Sequence, residues 1–108
     1  MSITDRRRSL RHSLALDVAL RVGVGGDGVR GKSIDVSRSG MFVVTSARIM
    51  EGRRVDITIT GPLVDEPIVT SGIVAHHMPG VGIGVRFSHQ HPRTRDLIGE
   101  LVRKMKCL

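Results

Sequence analysis

The chain has no Trp, no Tyr and only two Phe, Phe42 and Phe87, in 108 residues. Its core must therefore come from Val, Ile, Leu, Met and Ala, and it lacks the aromatic platforms on which single-stranded nucleic acids stack. The one cysteine, Cys107, cannot close an internal disulfide. No apolar run approaches the length of about 20 residues that spans a bilayer, so membrane insertion is not expected. The opening MSITDRRRSLRH has no apolar stretch of the kind a secretory signal needs, and the expected location is cytoplasmic. The length fits one domain, which leaves no room for a separate catalytic unit, and no enzymatic activity is expected.

Acidic residues are also scarce, ten against seventeen Lys and Arg, for a net charge of +7. Residues 1–12 carry +3, residues 93–108 carry +3, and the eighty residues between them only +1. A nucleic-acid groove across a sheet needs cations on the strands, within reach of each phosphate. Here they gather at the two ends, which suits a small anion gripped by an arginine-rich arm better than a polymer. Nucleic acid is not the expected partner.

What is plentiful is glycine, thirteen residues, and it goes with four Pro and period-two alternation. Leu14, Leu16, Val18, Leu20, Val22 and Val24 alternate with Asp17, Arg21 and Gly23, the pattern of a half-buried strand. Gly25-Gly26-Asp27-Gly28 supplies positive-φ residues for a hairpin turn, and the chain returns through Val29 to Val36. Ser37-Arg38-Ser39-Gly40 reads as a second turn. Further strands are expected over Met41–Thr45, Val55–Thr60, Ile68–His76 and Val81–Phe87, the last after a Pro79-Gly80 turn. Six strands with hairpin-length connections imply a mainly β protein, a six-stranded antiparallel barrel. After His91-Pro92 the period changes, and Leu97, Ile98, Leu101, Val102 and Met105 mark one amphipathic C-terminal α-helix. The expected organisation is a single domain over 1–108, with a flexible arginine-rich arm at 1–12, a barrel at 13–88 and a helix at 91–106.

Two literal motifs fail on physical grounds. Residues 26–33 satisfy the phosphate-loop pattern G-x-x-x-x-G-K-S, but that loop requires a helix beginning at the Lys. The sequence after Lys32 is Ser-Ile-Asp-Val-Ser-Arg-Ser-Gly, which cannot be that helix. Histidines 12, 76, 77, 89 and 91 suggest metal, but His76 and His77 are strand neighbours facing opposite ways, and no third ligand stands near His89 and His91. No metal, catalytic set or cofactor is expected.

The informative pair is Arg6-Arg7-Arg8-Ser9-Leu10-Arg11 and Asp35-Val36-Ser37-Arg38-Ser39-Gly40. Together they resemble the two signatures of the PilZ domain family: RxxxR at Arg7 and Arg11, preceded by Arg6, and [D/N]xSxxG at Asp35, Ser37 and Gly40. Their order, the strand and hairpin between them, the following Met41-Phe42-Val43 and the late Gly82-Ile83-Gly84-Val85-Arg86-Phe87 before a terminal helix also match the family's layout. The resemblance covers essentially the whole chain and implies a PilZ-like barrel that binds the bacterial second messenger cyclic di-GMP.

It further implies that Arg7 and Arg11 close over the nucleotide, since a guanidinium can fork onto phosphate, onto guanine O6 and N7, or stack on the base. Asp35 can accept from the guanine N–H edge, Ser37 can bond base or phosphate, and Gly40 permits both the turn and close approach of ligand. An arginine ahead of RxxxR is associated in this family with two stacked ligands, so Arg6, with Arg8 or Arg38, is expected to contact a second molecule. The receptor would signal to an effector protein in motility, adhesion, polysaccharide export or regulation. The alternatives are a PilZ-fold adaptor that works without ligand and a basic nucleic-acid-binding barrel.

Overall fold

The computed structural model describes residues 15–23, 26 and 28–107. The arm expected over 1–12, with Arg6, Arg7, Arg8 and Arg11, lies outside the described residues. Six strands follow in order: β1 Leu16–Val22, β2 Gly28–Val36, β3 Gly40–Val44, β4 Arg54–Thr60, β5 Ile68–Met78 and β6 Gly82–Phe87. One helix, α1, spans Pro92–Lys106. All neighbouring strands are antiparallel, and the order β1-β2-β3-β6-β5-β4 closes into a barrel because β1 pairs with both β2 and β4.

Alternation places one face of each strand inside. Leu16, Val18 and Leu20 from β1, Met41 and Val43 from β3, Val55, Ile57 and Ile59 from β4, and Ile83 and Val85 from β6 are buried together. With no large aromatic ring to fill the interior, branched aliphatic side chains do so, which packs small barrels well. Ile57 is 0% exposed at the centre of β4. Ile57→Ala is expected to cost about 3 kcal/mol by the combined loss of transfer free energy and creation of a cavity. Denaturant unfolding checks this, and a loss below about 1 kcal/mol would show that the core collapses around the gap.

The terminal helix begins as the sequence suggests. His91 is the N-cap, its Nδ1 accepting from the Arg93 N–H at 3.2 Å, and Pro92 occupies the first turn, where its missing N–H costs nothing. Ile98, Leu101 and Val102 join the barrel core, with Leu97 and Met105 partly buried beside them. At fifteen residues, with charged faces, α1 is neither long nor apolar enough to cross a membrane, and no helix among the described residues is.

Two details differ from expectation. In the β1–β2 connection, the left-handed backbone among the described residues falls on Gly23 (φ 65°) and not on Gly26 or Gly28. The turn at Pro79-Gly80 does use Gly80 at φ 75°, with the Val81 N–H bonded to the Met78 carbonyl at 2.9 Å. Strand β5 runs two residues beyond His76, because an extra residue at Ala75 interrupts its alternation.

Candidate functional site

The site is built by two β-bulges. Between Lys32 and Asp35 the β2–β3 register shifts by one residue, and between Val74 and His76 the β5–β6 register does the same. A bulge reverses the side-chain parity of everything beyond it. On β2 the inward positions run to Ser33; unbroken alternation would then send Asp35 into the apolar core. The shift turns Val36 inward and leaves Asp35 exposed on the outer face. On β5 the same device follows buried Val74 and leaves His76 exposed on the outside.

The first bulge is held by Ser33, 1% exposed and the one buried polar side chain among the described residues. Its hydroxyl donates to the Asp35 carbonyl at 3.2 Å and accepts from the Asp35 N–H at 3.3 Å. A buried hydroxyl costs stability unless bonded, and here it bonds the irregular backbone it stabilises.

As a result, Asp35, Phe42, Gly84 and His76 form one cross-strand row over β2, β3, β6 and β5. Gly84 is a low point between two rings: a Cβ there would stand 3.7 Å from His76 Cδ2 and 4.0 Å from Phe42 Cδ2. An open cleft of about 280 Å³ lies along this row, lined by Asp35, Ser37, Gly40, Phe42, Gly84 and Arg86 among others.

The turn at one end is organised by Ser37. Its backbone N–H donates to the Gly40 carbonyl at 2.8 Å, and its hydroxyl accepts from the N–H groups of Ser39 (3.3 Å) and Gly40 (3.2 Å). The Phe87 N–H donates to the Ser39 carbonyl at 2.8 Å and pins the turn to the end of β6. Much of the Ser37 hydroxyl's bonding capacity is thus spent on the turn itself, and it faces the cleft as a positioned, partly satisfied group.

Gly40 has a different role from the one expected. Its φ is not positive, so the turn does not need glycine for conformational freedom. Instead β3 crosses β6 so closely that a Cβ on Gly40 would be driven into the Val85 carbonyl oxygen. The glycine serves strand contact at the floor of the cleft.

The structure thus brings together Asp35, Ser37 and Gly40. Arg38 does not line the cleft; its guanidinium lies over Gly99 of α1. Phe42, Gly84, Arg86 and the neighbouring His76 are site residues that motif reading missed. Their signal was strand parity: Phe42, Gly84 and Arg86 face outward by the plain alternation of β3 and β6, and His76 does so beyond the β5 bulge. Among the described residues, no group of three or more His, Cys, Asp or Glu could hold a metal ion.

A closed six-stranded antiparallel barrel with a packed terminal helix and an open cleft on its outer wall defines the class of small closed β-barrel domains. The PilZ domain profile matches residues 5–104, and the chain belongs to the PilZ domain family. Two solved structures share the fold. The PilZ domain of CeSA from a cellulose-synthesizing bacterium aligns at 20% identity and a TM-score of 0.67, covering 85% of this chain and 93% of that one. The PilZ domain of YcgR from Escherichia coli, a structure with c-di-GMP, aligns at 13% identity and a TM-score of 0.68, covering 86% and 82% respectively. By sequence, no curated protein matches the chain.

Proposed function

We propose that this domain is a cyclic di-GMP receptor with no chemistry of its own. The observation that carries the reading is the convergence of Asp35 and the Ser37–Gly40 turn on one open cleft with Phe42, Gly84 and Arg86. A guanine laid over Gly84 meets the Phe42 ring on one side, with Asp35 placed to accept from its N1 and N2 donors. Arg86, exposed and without an acidic partner among the described residues, supplies a cation for a phosphate. Arg7 and Arg11 close over the nucleotide from the N-terminal side, and ordering of that arm is the signal presented to an effector protein. Arg6, with Arg8, holds a second stacked molecule. Arg38 would join them only by leaving α1.

Isothermal titration with cyclic di-GMP, with GTP as control, tests this. Saturable binding at two ligands per chain and none with GTP is expected. Saturation at one ligand would remove the role given to Arg6 and Arg8. No binding by the folded protein would overturn the receptor reading and leave the ligand-independent adaptor.

A further inference from the structure

The two flanks of α1 carry opposite arrangements of charge. On the flank facing the loop before β5, every cation is partnered: Arg93 with Glu66, and Lys104 with Asp65 at 3.4 Å and Glu100 at 3.6 Å. The other flank carries Arg95, Gly99 and Arg103, four residues apart in one row, and Lys106 three residues further on. The acids Asp96 and Glu100 belong to the adjacent row with Lys104. Among the described residues, none of Arg95, Arg103 and Lys106 forms an ion pair.

Gly99 is buried although it is in line with two exposed arginines. Its cover is Arg38, whose Nη1, Cζ and Nη2 lie 3.1, 3.4 and 3.5 Å from where a Cβ would stand. The missing side chain makes a notch, and a guanidinium from a different part of the chain fills the gap between Arg95 and Arg103. Arg38 has no acidic partner among the described residues either. Four cations therefore stand along about 17 Å of helix, at the rise of 1.5 Å per residue.

We propose that this face docks an acidic helix of a partner protein, one with carboxylates repeating at each turn. The spacing argues for it: guanidiniums one helical turn apart match carboxylates one turn apart, and Arg pairs with carboxylate through two parallel hydrogen bonds. Nucleic acid fits less well, because the cationic track ends with the helix and the eighty residues before it are nearly neutral. The proposal goes beyond cyclic di-GMP binding and is tested without nucleotide, so neither failure implies the other.

The test is fluorescence anisotropy with two labelled, alanine-based helical peptides of identical composition. One carries Glu at i, i+4, i+8 and i+11; the other has the same four Glu spread around the helix. The matched peptide is expected to bind about tenfold more tightly at physiological salt, the size several exposed ion pairs together supply. Arg95→Glu/Arg103→Glu should abolish that preference, Arg38→Ala should reduce it, and Lys104→Ala, on the other flank, should leave it intact. Circular dichroism melts establish that each variant is folded. Equal binding of the two peptides, or indifference of the preference to Arg38→Ala and to the charge reversal, overturns the proposal. So does a short DNA duplex that binds the same face more tightly than the matched peptide.

Discussion

Gly40→Ala is expected to be strongly destabilising, a loss of about 3 kcal/mol or more from a domain whose total stability is about 5–15 kcal/mol. The added methyl meets the Val85 carbonyl, a backbone atom of the paired strand β6, and not the yielding tip of a side chain. Relief requires β3 and β6 to part where the Ser37–Gly40 turn is anchored. At about 4–8 °C per kcal/mol for a domain of this size, the midpoint should fall by at least about 12 °C. Gly28→Ala is the control, because nothing lies within 4 Å of its added carbon and its φ is ordinary. It should be neutral or slightly stabilising, as Ala restricts the unfolded chain more than Gly does. Similar midpoints for the two variants would refute the close-approach account of Gly40.

The largest effect on binding is expected from Arg7→Ala/Arg11→Ala, which should weaken cyclic di-GMP at least about 100-fold. Hydrogen bonds to charged groups contribute about 1.5–3 kcal/mol each, and this variant removes a bidentate partner from two sites at once. Asp35→Ala, deleting one exposed acceptor at the base edge, should cost only about tenfold. Calorimetric titration of both variants against the parent checks the order. If the arginine pair is dispensable while Asp35→Ala abolishes binding, the nucleotide is held by the barrel wall and the arm is not the clamp. The unfolding midpoint of the double variant should match the parent's, which separates lost recognition from lost fold.

The barrel was legible in the sequence because its alternation is strong where packing demands it. Leu16, Val18 and Leu20, or Val55, Ile57 and Ile59, admit one strand reading each, and all are buried. The helix was equally plain, from the change of period after Pro92. The site was only half legible. Asp35, Ser37 and Gly40 could be named from their motif, but Phe42, His76, Gly84 and Arg86 could not: Phe42, Gly84 and Arg86 face outward by plain alternation, but their meeting with Asp35 and His76 depends on two one-residue register shifts. Those shifts leave little trace in composition: one falls at Ser33, where the inward residue is small and polar, and the other at Ala75, which looks like any tolerant strand position. The role of Gly40 was misread for a related reason. A glycine required by a neighbouring strand's carbonyl looks the same in sequence as one required by its own turn, and the pairing of Gly40 with Arg86 spans 46 residues.

Closure of the barrel limits how other molecules can read this domain. With β1 bonded to both β2 and β4, each of the six strands has a paired neighbour on both sides, although residues 28–31 of β2 run past β3 and the last residues of β5 run past β4. No strand among the described residues is a free sheet edge along its whole length, so neither an added peptide strand nor a second copy finds a complete edge to pair with. Backbone recognition, which is tolerant of sequence, is thereby confined to short overhangs. A partner must recognise side chains, and its specificity will be written in the residues carried on the outer wall, the turns and the helix.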